Sequence, residues 1–455
     1  MMKRNGVSTG GTIGVLIIGL LVGAGIVYAA APSILPSQVT TVNGNSFCNG
    51  GTFTIGNLAD TSGALSAQGI AQTNALTMAI SDINAYSATT GCHVTFRLSS
   101  LDYAHDPTKA VQQVQAFNTA GVTAIVGPLD SDSLIAIQQT VNQDHIVTVS
   151  PSSTSAVIAN RDPTTNYVFR TVPTDAYQAK ADTAELLSQN VKDLIVINFY
   201  SSYAGALANA TIADFTAAGG HVQDQIQYQI TTTDFTPVLN QMISDWNSAI
   251  QTYQPNQVAI FAASEEEISS LLLQANASST YSPLLHTPQP WYGVDGESQD
   301  TVISNSSIAG NLVAQVKLAA TVYNAPSNQK LANFSARFQA AYNQAPPSYA
   351  QGAYDDAWLI ALSALAAQSS SGSAMKAVLP SIANNLFGVT GWLVLGPHGD
   401  AYPTFGYQIW QVVHCTTSCP AGYIGTAPDV WVQVGTYDLS SNSVTWASPN
   451  YPQNP

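Results

Sequence analysis

Apolar and polar positions fall into a repeating strand-then-helix rhythm from about residue 52 onward. Thr52 to Asn57 alternates as a short strand and ends in the turn-rich stretch Ala59-Asp60-Thr61-Ser62-Gly63. The helix expected next sets Leu76, Ala79, Ile80 and Ile83 on one face. His93 to Ser99 reads as a second strand. Pro107, suited to a first helical turn, opens a helix with Val111, Val114 and Phe117 inward. Val122 to Gly127 is a continuous apolar run of the kind a parallel sheet buries on both faces. A further helix and the strand Ile146 to Val149 follow.

The rhythm then restarts. Strands at Leu194 to Phe199, His221 to Tyr228 and Val258 to Ala262 are separated by helices near Gly205 to Ala218 and Asp234 to Ile250. Strand-helix alternation with right-handed crossovers gives a doubly wound sheet, and two such runs predict an α/β protein of two similar lobes. Helical pieces from Gln329 to Asn343 and Tyr349 to Gln368, then a β-rich tail from Val389 to Trp446, read as returns of the chain that complete each lobe. The expected division is residues 52–172 with about 322–388 in the first lobe, and 173–321 with about 389–455 in the second. Several crossings between them predict a multi-strand hinge that lets the lobes close.

Ahead of this pattern, Lys3 and Arg4 precede an uncharged apolar run from about Gly11 to Ala31. Its length suits a signal peptide or a single spanning helix, residues 1–31, with basic residues on the cytoplasmic side. A Ser/Pro/Thr/Asn linker over 32–51 follows. The rest of the chain is therefore expected outside the cytoplasm, on the outer face of the cell membrane. Four Asn-x-Ser/Thr sequons, at Asn209, Asn276, Asn305 and Asn333, become acceptors in a compartment with glycosylation machinery. The chain's four cysteines fit an oxidising compartment, with Cys48–Cys92 and Cys415–Cys419 as the natural pairs.

Composition narrows the partners. With 12 Lys+Arg against 27 Asp+Glu, the net charge of −15 excludes a nucleic-acid partner, which needs a basic face. Charged residues are 9% of the chain, yet 45% is hydrophobic, so a folded core is expected and not disorder. A surface of neutral polar groups also tolerates an acidic exterior.

In an open α/β sheet, ligands sit beyond the carboxyl ends of the strands. Those ends deliver Asp60-Thr61-Ser62-Gly63, then Gly127-Pro128-Leu129-Asp130-Ser131-Asp132-Ser133, then Ser150-Pro151-Ser152-Ser153-Thr154. Hydroxyls and helix N-terminal N–H groups gathered there can cradle a carboxylate without a buried cation.

The order of these loops resembles the type I periplasmic-binding fold of branched-chain amino-acid-binding proteins, over nearly everything from Thr52 to Trp446. Its marks are Thr61-Ser62-Gly63, the Asp102 to Ala110 stretch with Asp106-Pro107-Thr108-Lys109, and Gly127-Pro128. Ser150-Pro151-Ser152-Ser153-Thr154, Phe169-Arg170-Thr171-Val172-Pro173 and Gly391 to Asp400 complete them. The resemblance implies that Ser131, Ser152 and Thr154 hold a ligand carboxylate and that Tyr203 covers the ligand from the second lobe. It implies that Asp295 pairs with an α-ammonium, by a charge-assisted hydrogen bond, and that Gln68 lies at the pocket mouth. It also implies delivery of an amino acid or related small polar solute to the membrane subunits of an ABC transporter, with no cofactor. The chain departs from the family at Ser264, followed by Glu265-Glu266-Glu267, where an aromatic is usual. Asp130 and Asp132 add negative charge near the carboxylate cradle. These departures favour a polar or cationic amino acid, an amide or a urea-like solute over an aliphatic one.

Catalysis is not expected: the chain lacks a G-x-S-x-G elbow, an H-E-x-x-H pair, a P-loop and a G-x-G-x-x-G helix start. His93, His105, His145, His221, His286, His398 and His414 are scattered, forming no metal-ligand pattern, and read as surface or loop residues. A sensor ectodomain shares the fold, but Lys3 and Arg4 leave almost nothing on the cytoplasmic side to signal.

Overall fold

The computed structural model describes residues 46–159, 161–305, 308–323, 327–416 and 418–448. In the first lobe, strands β1 (Asn49–Ala59), β2 (His93–Asp102), β3 (Ala124–Val126), β4 (Val147–Ser150) and β5 (Val168–Arg170) form a parallel sheet in the order β2-β1-β3-β4-β5. Helices cover both faces, which is why β3 and β4 are buried at every position. On one face Phe53, Ile55, Val126 and Val149 pack with Leu76, Ala79 and Ile83 of the helix Ser66–Ser87 and with the later helices Ser348–Ala367 and Gly372–Ala383. On the other, Leu58 and Ile125 meet Val114 and Phe117 of the helix Pro107–Thr119 and Leu134 and Ile137 of the helix Ser131–Gln143. Local chemistry starts both of these helices: Asp106 accepts from the backbone N–H of Thr108 and Lys109 ahead of Pro107, and Asp130 accepts from that of Ser133.

The second lobe holds β6 (Asp193–Phe199), β7 (His221–Tyr228), β8 (Val258–Ala263), β9 (Trp291–Gly293) and β10 (Ala319–Tyr323), paired in parallel in the order β7-β6-β8-β9-β10. A short hairpin, β11 (Phe387–Gly388) and β12 (Gly391–Trp392), stands apart. Strands β13 (Tyr407–His414), β14 (Asp429–Asp438) and β15 (Ser443–Trp446) then extend the second sheet antiparallel from β10.

The chain crosses between lobes after β5, after β10 and ahead of β13. The last crossing falls later than the pattern of the sequence indicated. Val389, Leu393, Leu395 and Ala401 pack in the first-lobe core, and the second lobe resumes only near Tyr407. Residues 322 and 323 likewise stay in the second sheet, as the end of β10. The segment up to Asp400 is held to the first lobe because Asp400 bridges to Arg170 at the end of β5.

Cys48 is bonded to Cys92, tying the start of β1 to the start of β2, and Cys415 to Cys419. The sequon residues Asn209, Asn276, Asn305 and Asn333 are exposed. The apolar run 11–31 lies outside the described residues; among the described residues no helix is long and apolar enough to cross a membrane.

Candidate functional site

The loops at the carboxyl ends of β1, β3, β4, β6, β8 and β9 converge on the cleft between the lobes. Each loop is first a structure in its own right. Asp60 accepts from the backbone N–H of Gly63 (2.7 Å) and Leu65 (3.0 Å). Asp102 takes the N–H of Thr61 and the hydroxyl of Ser62. Burial pushes the Asp102 carboxyl up, but these hydrogen bonds, that from Ala104 N–H and the charge of Lys109 together bring it down to about 2. Thr61-Ser62-Gly63 is therefore consumed in shaping the turn.

The third- and fourth-strand loops are stitched to one another by serines. Ser150 Oγ donates to Pro128 O (2.7 Å), and Ser152 Oγ donates to Leu129 O (2.7 Å). Arg170, fully buried, holds the same loop from behind, with Nη1 on the carbonyls of Ser153 and Ser155 and Nε on Asp400 (2.6 Å). This explains physically why Phe169-Arg170 and the Gly396-to-Asp400 turn occur together in the chain.

The cleft is closed. The space left in it is about 20 Å³, room for roughly one water. Gln68, Ser131, Ser152, Tyr203 and Asp295 line it, together with Asp130, Glu265 and Tyr349. Thr154 is not in the lining: it is buried and turned to Asp175, whose backbone N–H donates to its carbonyl (3.0 Å).

Asp295 is the hub of the second-lobe wall. Its Oδ1 accepts from Tyr203 Oη (2.6 Å) and Gln178 Nε2 (2.8 Å), and its Oδ2 from Tyr349 Oη, which arrives on the first-lobe helix Ser348–Ala367. Burial raises the Asp295 carboxyl above its ordinary range, against the pull of these three donors. Behind it, Asp175 is pushed up to about 8 by burial and then by the charge of Asp295.

Hydrogen bonds and an ion pair run across the cleft from lobe to lobe. Gln68 Nε2 reaches Gly296 O at 3.4 Å, Ser66 Oγ donates to Glu266 at 3.0 Å, and Ser155 Oγ donates to Ser202 O at 2.5 Å. Asp132 accepts from both the backbone N–H (3.0 Å) and the hydroxyl of Ser202. His105 spans the lobes, with Nδ1 3.1 Å from Asp60 Oδ2 and Nε2 3.4 Å from Glu265 Oε2. Burial alone would lower this imidazole, but Glu265, Asp60 and Asp130 raise it to about 11.

The acids that follow Ser264 divide their roles. Ser264 itself is buried on Glu297, through both its N–H and its hydroxyl. Glu267 accepts from Tyr228 Oη at 2.7 Å, leaving Glu265 to face the cleft.

His105, expected with the other histidines as a surface or loop residue, is thus half of an interlobe ion pair. The only signal in the chain was its place one residue ahead of the helix start Asp106-Pro107; the positive φ of Ala104 and His105 (50° and 55°) and the partner across the cleft come from the fold. Tyr349 gave no such signal, because it reaches the site from the return segment.

Residues 52–399 match the periplasmic binding protein family. An uncharacterised protein of Methanocaldococcus jannaschii is 28% identical over 415 residues, covering 86% of this chain and 91% of its own. The leucine-binding protein LivK of Thermotoga maritima superposes with a TM-score of 0.66 at 20% identity, over 87% of this chain and 98% of its own. The branched-chain amino acid transporter substrate-binding protein LivJ of Streptococcus pneumoniae, solved with isoleucine, gives 0.62 at 20% identity, over 84% and 100%. The family match spans most of both lobes and includes every loop that lines the cleft, and on that ground the chain belongs to the periplasmic binding protein family.

Proposed function

We propose that the protein captures an amino acid or related small polar solute outside the cytoplasm and passes it to the membrane subunits of an ABC transporter. The observation that carries this reading is Asp295. A buried carboxylate at the cleft wall accepts hydrogen bonds from both lobes at once, through Tyr203 and Tyr349. An α-ammonium entering the open cleft replaces a neutral hydroxyl with a charged donor, which makes a stronger hydrogen bond to the same oxygen. Closure then returns the first-lobe contacts around the ligand. Ser131 at the start of its helix offers a hydroxyl to the other end of the solute. Support also comes from LivK and LivJ, whose names record leucine and branched-chain amino acids as their ligands. In this reading the run from Gly11 to Ala31 exports the chain or anchors it to the outer face of the membrane.

The test is thermal unfolding of the full-length protein against a panel of amino acids, simple amides and urea. A ligand held a hundredfold above its Kd adds about 2.7 kcal/mol to the folded state. A shift with an amino acid that disappears in Asp295→Ala supports the assignment. No shift with any compound overturns it.

A further inference from the structure

The cleft lining is charged on one side only. Asp130, Glu265 and Asp295 line the cavity, and no Lys or Arg does. Arg170 is turned toward Asp400 and the carbonyls of Ser153 and Ser155, and Lys109 lies on Asp102. Among the described residues His105 is the cation paired with this cluster, and it answers Asp60 and Glu265. Asp130, 8% exposed, is answered at close range only by neutral donors: its Oδ1 caps Ser133, and the buried Tyr103 hydroxyl, which accepts from Leu129 N and Asp130 N, turns its proton to the same carboxylate. Burial and then the charge of Asp130 hold the Tyr103 hydroxyl well above its ordinary range, so it stays a neutral donor. A buried carboxylate on a ligand cleft that meets only neutral donors is unfavourable unless the ligand supplies a positive charge.

Ser152 adds a second, independent indication. Its hydroxyl proton is committed to Leu129 O, so what it offers the cleft is a lone pair. A lone pair receives N–H groups and repels a carboxylate.

We infer that the cleft selects a solute with two separated cationic nitrogens, one at Asp295 and the other at the Asp130–Glu265 wall. This rests on the solute-binding reading above and narrows its ligand class. A basic amino acid and an aliphatic diamine share that chemistry. In either, the second cation sits where an aliphatic side chain would leave the Asp130 and Glu265 carboxylates facing hydrocarbon.

The inference is tested by calorimetric titration of the full-length protein with arginine, lysine, putrescine, agmatine and leucine at neutral pH. At least one dicationic probe is expected to bind tenfold or more tightly than leucine. Binding of arginine or lysine without putrescine and agmatine identifies a basic amino acid; tighter binding of the diamines identifies an amine. Asp130→Asn keeps a good helix cap, so it tests charge and not folding. It and Glu265→Gln are each expected to weaken the dicationic probe tenfold or more, and by a clearly larger factor than they weaken leucine. Leucine bound as tightly as the dications, or a dication indifferent to both variants, overturns the inference while leaving the solute-binding reading intact. Binding of none of the five, with no shift across the amino-acid and amide panel, overturns both.

Discussion

His105 Nε2 lies 3.4 Å from Glu265 Oε2 across the cleft, while its Nδ1 lies 3.1 Å from Asp60 Oδ2 on its own side. One imidazole therefore joins a first-lobe turn to a second-lobe strand end. It does so where Glu265 and Asp60 are almost entirely buried and have little water to solvate them.

Removing that imidazole exposes what it holds. His105→Ala leaves two buried carboxylates facing each other, and loss of one member of a buried pair costs on the order of 3 kcal/mol. The variant is expected to unfold at lower denaturant than the parent. Its radius of gyration in solution scattering should rise as the lobes part. His105→Gln, which can still donate to one acid, should lose less. Equal midpoints and equal radii in parent and alanine variant would show that the remaining interlobe contacts close the cleft unaided.

Stability should increase toward acid. Burial pushes Asp175 up to about 8, Glu267 up to about 7 and Asp355 up to about 6, all above their unfolded values. The folded state then binds protons that the unfolded chain has released, so stability falls as pH rises from about 4 toward 8. His105, raised to about 11, acts in the same direction: its contribution is complete below about 6.5 and is lost toward its folded value. Asp102, lowered to about 2, opposes this only when pH drops below about 4. The melting temperature should be higher at pH 5 than at pH 8, by roughly 5 °C, since ~1 kcal/mol shifts a domain by a few degrees. Asp175→Asn should flatten the slope. A melting temperature that climbs from pH 5 to pH 8 would contradict the assignment of these buried acids as protonated.

Strands long enough to show a period, such as β1, β2, β6 and β7, could be read from the chain because their residues alternate or run apolar over seven positions or more. The three-residue strands β5 and β9 could not, since three residues carry no period and both depend on neighbouring strands for hydrogen bonds. At the site, loop position gave Ser131, Ser152 and Asp130, because strand ends and helix caps are local features. Tyr349 and the pairing of His105 with Glu265 depend on how far the lobes have closed, which no local pattern encodes. The boundary at 389 was misplaced for a related reason. Phe387–Gly388 and Gly391–Trp392 look like entry into the second sheet, yet they pair only with each other.

Tyr203 couples the ligand wall to the backbone. Its hydroxyl donates to Asp295 Oδ1 and accepts from Gly296 N at 3.0 Å. Tyr203→Phe fills the same volume but leaves a buried N–H without an acceptor, which costs about 1–3 kcal/mol. The loss should appear in the denaturant midpoint without a change in the slope. Amide exchange at Gly296 should accelerate in the same variant. An unchanged exchange rate would mean another acceptor, or water, takes over that N–H.

The two disulfides should contribute unequally, and by an order that their placement in the fold dictates. Cys48 and Cys92 are separated by 44 residues, Cys415 and Cys419 by 4. By chain entropy, closing the longer loop is worth about 4 kcal/mol and the shorter about 2 kcal/mol. The longer loop also encloses β1 and the helix Ser66–Ser87, and the bond joins β1 to β2 just where their pairing begins, at Asn49 and His93. Phe47 packs edge-on against Phe53 beside it, at 6.2 Å between ring centroids, so the bond fixes a segment that otherwise enters the core from outside. Cys415–Cys419 closes a turn at the end of β13, where little else depends on it. The double variant Cys48→Ala/Cys92→Ala is therefore expected to lose about twice the unfolding free energy of Cys415→Ala/Cys419→Ala in matched denaturant titrations. Equal losses would mean the unfolded chain already holds residues 48 and 92 close together. In that case the β1–β2 unit retains structure after the rest of the lobe has opened.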